Sequence, residues 1–223
     1  MKPERLIDST PAPGGDELFL YERDGVFTLR IGGIELMTSR AHDSEEELAV
    51  MAMKLVGRKR RPRVLVGGLG MGYTTRAALD ASPSPSEVVV AELLPAVVRW
   101  NRDHLGQLAG NPLGDPRVKV VERDLYDLIA DSPGGFDVIL NDVDNGPGGC
   151  ALDANERLYR PKGLEAIHRC LRPGGVLAVW CVEDDPRFVK ALSAAGFRAR
   201  SQTIFARNVA KGHRHTIFLA QRG

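Results

Sequence analysis

The stretch RVLVGGLGMGYTTRA, residues 63–77, decides the fold. A short β-branched run, Val64–Val66, enters the loop Gly67-Gly68-Leu69-Gly70-Met71-Gly72, and a helical segment begins at Thr74. Glycines between a strand and a helix let the backbone turn tightly and approach a ligand closely. Downstream the same alternation repeats. Glu87–Ala91, Val118–Val121, Phe136–Leu140 and Val176–Val182 read as strands. Pro95–Leu105, Leu125–Ala130, Leu164–Leu171 and Pro186–Ala195 read as the helices between and after them, with Arg172-Pro173-Gly174-Gly175 as a helix stop and Gly196 as a C-cap. Phe197–Ala206 and Thr216–Ala220 are two strand-like runs with no helix between them. Strands separated by helices pair in parallel, whereas the last two predict an antiparallel addition.

Upstream of the loop the period changes. Residues 1–16 are rich in Pro, Gly and Asp and read as a loose lead-in. Leu18–Tyr21, Val26–Ile31 and Ile34–Met37 alternate around Asp24-Gly25 and Gly32-Gly33 and predict a small antiparallel meander. Ser44-Glu45-Glu46-Glu47 then supplies a cap and an acidic first turn for a helix whose apolar stripe is Leu48, Met51, Ala52 and Leu55. Residues 58–63 form a basic connector. The expected fold is therefore α/β and Rossmann-like: a mostly parallel sheet with helices on both faces, an antiparallel C-terminal strand pair, and a small N-terminal β meander. The expected division is 1–43 for the β appendage and 44–223 for the main domain.

Composition narrows the function classes. The chain has 223 residues, 30 Lys+Arg and 29 Asp+Glu, so it lacks the basic excess of a dedicated nucleic-acid binder. No apolar run approaches the ~18 residues of a membrane span, and the N-terminus MKPERLIDSTPAPGG has no signal-peptide core, which predicts a cytoplasmic protein. Cys150, Cys170 and Cys181 have no metal-ligand spacing and fit a reducing compartment.

Four acidic residues fall where the strands end. Ligands of open α/β sheets bind outside the carboxyl ends of the strands, so these positions face any bound substrate. Glu92 ends the second strand of the alternation, about 20 residues past the glycine loop, where a carboxylate accepts hydrogen bonds from ribose hydroxyls. Asp124 ends the third, and suits an adenine amino group as well as a helix N-cap. Asp142 and Asp144 leave the fourth and are placed to hold an ammonium group or accept its proton. The remaining candidates read as structural. His42 and His104 are surface or helix-end residues, His168 lies in a helix, His213 and His215 belong to a basic C-terminal loop, and Trp100 and Trp180 read as core. Cys150 has no evident base partner.

On these residues, from about Ile34 to Gly175, the chain resembles the spermidine synthase (polyamine aminopropyltransferase) family on the class I S-adenosylmethionine-dependent methyltransferase fold. VLVGGLGMGYTTRA stands for the family's VLVIGGGDGGTLRE, Glu92 in VVVAELLPAVVRWNR for its ribose carboxylate, Arg123-Asp124 for its Gly-Asp element, and Phe136–Asp142 for its Tyr-Asp-Val-Ile-x-x-Asp segment. The resemblance implies donor binding by Gly68, Gly70, Met71, Gly72, Glu92 and Asp124, catalysis by Asp142 assisted by Asp144, and a dimer or tetramer. It also implies acceptor contacts from Asn145, Tyr159 and Glu46, since the family's Tyr-His pair falls on Glu45-Glu46. The departures are informative. The loop aspartate that holds the donor amine in the family becomes Met71, which cannot accept a charge-assisted hydrogen bond, and the Asp-Pro after the catalytic aspartate is replaced by Asp144-Asn145-Gly146-Pro147.

The expectation that follows is a transferase using S-adenosylmethionine or its decarboxylated form, acting on a small amine, with no metal. Met71 turns the main expectation to methyl transfer, with aminopropyl transfer as the alternative. A nicotinamide-dependent oxidoreductase fits the glycine loop and Glu92 but fits the Asp142 cluster and the antiparallel ending poorly. A catalytically silent nucleoside-binding module is the third reading.

Overall fold

The computed structural model describes residues 3–57, 61–83, 86–143, 146–147, 155–205 and 214–223. Two sheets organise them. The first is an antiparallel meander in the order β1-β2-β3-β4, made of Arg5–Pro11, Glu17–Arg23, Val26–Ile31 and Ile34–Thr38. The second has seven strands. Chain order gives β5 (Arg63–Gly67), β6 (Glu87–Glu92), β7 (Val118–Glu122), β8 (Phe136–Asn141), β9 (Leu171–Cys181), β10 (Phe197–Phe205) and β11 (Arg214–Arg222), and spatial order is β10-β11-β9-β8-β5-β6-β7. Strands β5 to β9 pair in parallel, while β11 runs antiparallel to both β9 and β10.

The helices are α1 (Asp43–Val56), α2 (Tyr73–Ala81), α3 (Pro95–Trp100), α4 (Leu125–Ala130), α5 (Glu156–Tyr159), α6 (Pro161–Cys170) and α7 (Pro186–Ala194). Their two layers follow from the period of the strands. Successive side chains point to opposite faces. Val64 and Val66 therefore join one core with Val138 and Leu140, packed by α1, α2 and α3, while Leu65 and Ile139 join the other, packed by α4, α6 and α7. All six are fully buried, each side chain contributing roughly 1.5–3 kcal/mol of transfer free energy. Burial on both faces explains why these strands read as continuous apolar runs. The N-terminal sheet sends Leu18, Leu20, Leu29 and Ile31 into the first core, so it packs on the α1–α3 side of the large sheet.

Several elements differ from the sequence reading. Arg5–Pro11, expected as lead-in, is a strand paired with β2. Its polar residues sit on a sheet edge, where apolar alternation is not required. Arg172-Pro173-Gly174-Gly175 follows the end of α6 at Cys170, as a stop should, but it also belongs to β9, whose pairing with β8 shifts register between Phe136 and Val138. Ser44 is not a cap: α1 starts at Asp43, with His42 at the N-cap, and Ser44 is buried. The helix after β6 runs from α3 directly into a π-helical turn, Asn101–Leu105.

Strand order reverses at β5, which has β6 on one side and β8 on the other. That reversal opens a crevice at the carboxyl edge, where α/β sheets hold ligands.

Candidate active site

The glycine loop brings the site together. Gly68 has φ +82°, and a Cβ there would lie 2.7 Å from the carbonyl oxygen of Asp142. The missing side chain thus lets the end of β5 lie against the end of β8. The Gly68 N–H donates to Ala91 O at 2.9 Å, which ties the same loop to β6. Gly70, φ +50°, meets the Met37 thioether of β4: a Cβ would lie 3.1 Å from its sulfur. The first sheet therefore roofs the loop. From α3's continuation, buried Asn101 donates to Gly70 O at 2.8 Å and holds the loop from behind.

A cavity of about 410 Å³ opens at this point, within the size range of small-molecule sites. Gly68, Gly70, Glu92, Asp124 and Asp142 all line it. Leu18, Leu29, Ile31 and Met37 come from the first sheet, Leu94 and Val97 from the start of α3, and Val143 from the loop after β8. The wall is mainly apolar, with carboxylates at chosen points.

Glu92 is almost completely buried at the end of β6. Its two carboxylate oxygens accept from Leu69 N at 2.9 Å and Leu94 N at 2.8 Å. Burial raises its pKa, and the backbone donors, Leu94 first, oppose that rise. Two backbone N–H groups leave a carboxylate with further acceptor sites, which can take hydroxyl donors from the cavity. Asp124 N-caps α4 by accepting from Asp127 N at 3.2 Å, and pairs with Arg157 at 2.6 Å. Cap and cavity residue coincide, as the sequence allowed.

Asp142 follows β8. Its Oδ2 accepts from the Thr74 hydroxyl at 2.6 Å and its N–H donates to Gly67 O at 3.1 Å. Burial pushes its pKa up to about 8; the charge of Glu45 adds to that rise, and the Thr74 hydrogen bond opposes it. Glu45 also lines the cavity, and burial raises its pKa too. From β9 and β11 come Trp180 and His215, whose rings meet edge to face at 4.5 Å.

Four residues expected at the site lie outside the cavity wall. Met71 is fully buried in the core and does not line the cavity. Glu46 points to solvent and bonds His42 Nδ1 at 2.8 Å; its neighbour Glu45 is the one that faces the cavity. Tyr159 is buried in the second core, its ring edge-on to Phe188 at 5.7 Å, and it does not line the cavity. Gly72 caps α2 and packs against Pro112 and Asn101, outside the cavity wall. Asp144, Asn145, Cys150 and His213 lie outside the described residues. Trp180, read as core, does pack against the first core but also lines the cavity, and His215, read as loop, lies in β11 and lines it too.

Glu45, Thr74 and His215 were absent from the expected site. A signal existed for the first: Glu45 lies three and four residues before Leu48 and Ala49, on the buried stripe of α1, whereas Glu46 precedes exposed Val50. His215 carried none, since only the antiparallel return of β11 beside β9 brings it to this edge. Among the described residues no group of three or more His, Cys, Asp or Glu is placed to hold a metal ion, and no helix is long and apolar enough to cross a membrane.

Comparison with known proteins agrees in fold. The spermine/spermidine synthase domain matches residues 43–210. Polyamine aminopropyltransferase 2 of Pseudomonas aeruginosa is 33% identical over 141 residues, 61% of this chain and 38% of that protein. The polyamine aminopropyltransferase of Aeropyrum pernix is 33% identical over 139 residues, 61% of this chain and 42% of its own length. The chain thus spans about two fifths of the length of these curated relatives. The crystal structure of spermidine synthase from Thermotoga maritima superposes with a TM-score of 0.77 at 22% identity, covering 98% of this chain and 73% of that one. A spermidine synthase in complex with the transition state analogue AdoDATO gives 0.75 at the same identity and coverage.

Proposed function

Because the chain belongs to the spermine/spermidine synthase domain family, we propose that it transfers an aminopropyl group from decarboxylated S-adenosylmethionine to a small amine. The observation that carries this reading is Asp142: a carboxylate of raised pKa, held by Thr74 beside the glycine loop, in a cavity that Glu92 also enters. Methyl transfer, the main expectation from sequence, rested on Met71, and Met71 is a core residue.

In this reading the nucleoside lies over β5–β7. Glu92 takes the ribose hydroxyls and Asp124 stands at the adenine side. The acceptor enters on the β8–β11 side. Its amine must be neutral to attack, and Asp142 takes the proton. The amine nitrogen forms a bond to the carbon beside the sulfonium, the carbon–sulfur bond breaks, and its electron pair returns to sulfur as a neutral thioether. The sulfonium makes that carbon electrophilic, so alignment and deprotonation are the protein's part. The acidic groups at this edge suit a cationic donor and a cationic acceptor. An assembly of identical subunits is proposed from family membership alone.

The test is product mass. Incubated with decarboxylated S-adenosylmethionine and 1,4-diaminobutane, the protein is expected to yield the aminopropylated amine. A methylated amine formed from intact S-adenosylmethionine, with no product from the decarboxylated donor, would restore methyl transfer.

A further inference from the structure

Asp142 is not alone at its end of the cavity. Glu45 reaches the same wall from α1, and it is gripped in a specific way. The Ser44 hydroxyl donates to Glu45 Oε2, and His215 Nδ1 of β11 lies 3.1 Å from the Ser44 oxygen. Ser44 has one proton to give. When it goes to Glu45, His215 must donate from Nδ1 to complete the chain. A His215 ring protonated at Nδ1 therefore favours an ionised Glu45. The ring is held in place by Trp180.

On the proposed aminopropyl-transfer reading, we propose that Glu45, held by Ser44 and His215, is the second carboxylate of the acceptor site, binding the cationic acceptor together with Asp142 and strengthening Asp142 as its base. Two carboxylates that share one cavity do not ionise independently: a charge on one raises the proton affinity of the other. Glu45 acts on Asp142 in this sense. A cation between them relieves the repulsion, so the pair is selective for a positively charged acceptor over a neutral one. The titratable groups around Glu45 are His42 at the cap of α1, Glu46 on the solvent side of that helix, Tyr73 from α2, Asp142 after β8, and His215 through Ser44. Tyr73 feels the same charge, and its pKa is raised to about 12 by burial and by Glu45. Ser44 and His215 are positioning residues, acting through Glu45.

Two measurements on the full chain decide it. Carboxyl-labelled aspartate NMR follows the Asp142 titration without any turnover. In Glu45→Gln the Asp142 midpoint should fall by about one pH unit or more, because a neighbouring negative charge is gone. Glu45→Asp, which keeps the charge, should restore most of the shift, and the exposed neighbour variant Glu46→Gln should leave it unchanged. His215→Gln should move the midpoint in the same direction as Glu45→Gln, by less. Steady-state kinetics should show KM for 1,4-diaminobutane rising about tenfold in Glu45→Gln, the scale of one lost charged hydrogen bond, with the acid limb of kcat/KM moved to lower pH. Identical Asp142 midpoints in wild type and Glu45→Gln would overturn the pairing, whatever the activity. A shifted midpoint in a protein that makes no aminopropylated product would instead leave the pair standing and remove the proposed function.

Discussion

At the scale of single residues the site rests on carboxylates with contrasting roles. Glu92 spends its hydrogen bonds on Leu69 and Leu94 and so fixes the loop as well as any ligand. Asp142 has a side-chain partner in Thr74 and a raised pKa, the properties of a base. Asp142→Asn should leave donor binding by calorimetry within a few-fold of wild type and lower kcat by about 10²–10⁴-fold, the usual worth of a general base. In the wild type, kcat/KM should climb with pH up to about 8, since only the ionised carboxylate accepts a proton. Glu92→Gln should weaken donor binding by about 1–3 kcal/mol, because an amide nitrogen would face a backbone N–H. Unchanged binding would remove Glu92 from the ribose position. Glu92, Asp124 and Asp142 were legible because each stands at or just past the carboxyl end of a strand, and topology alone carries such residues to the cavity. Glu45 was passed over for Glu46, a one-residue error that rotates a helical side chain by about 100° from core to solvent. Met71 was misplaced because a gapless alignment fixes position along the loop and says nothing of which way a side chain turns.

Among the elements, the parallel strands were the most legible part of the fold. Burial on both faces leaves the middles of β5, β6 and β8 almost wholly apolar, so composition and position coincide there. β1 was not legible, since a strand edge paired on one side tolerates Asp8, Ser9 and Pro11. The glycine loop was legible as a turn, but its reason was not. What demands Gly68 is the backbone of Asp142, 74 residues away in sequence. Gly68→Ala combines a positive φ with a Cβ 2.7 Å from that carbonyl. It should cost about 1–3 kcal/mol in chemical denaturation, through strain of backbone and packing together. It should also separate Thr74 from Asp142 and depress turnover. Gly174→Ala is the control: its φ is +72° but nothing lies within 4 Å, so only the backbone cost, about 1 kcal/mol, should appear.

For the whole molecule, the cavity carboxylates make stability depend on pH. Glu45, Glu92 and Asp142 all have folded pKa values above those of an unfolded chain. A raised carboxyl binds its proton more tightly when folded, so its contribution is complete below the unfolded value and is lost as pH rises through the folded one. For Asp142 that window runs from about 4 to about 8. The melting temperature of the ligand-free protein should therefore decline across this range, and Asp142→Asn should flatten part of the decline. Asp115 has the opposite sign. Hydrogen bonding to Arg117 holds its pKa down to about 2, so its contribution is present above the unfolded value and is lost as pH falls toward 2.

The two ends of the cavity also differ in when they can exist. The end proposed for the donor is lined within residues 67–142, by Gly68, Glu92, Asp124 and Asp142. The contact between Ser44 and His215 closes a span of 171 residues. Synthesis runs from the N-terminus and such long closures come late. On the proposed reading, the last support of the pair Glu45–Asp142 is in place only after β11 has left the ribosome.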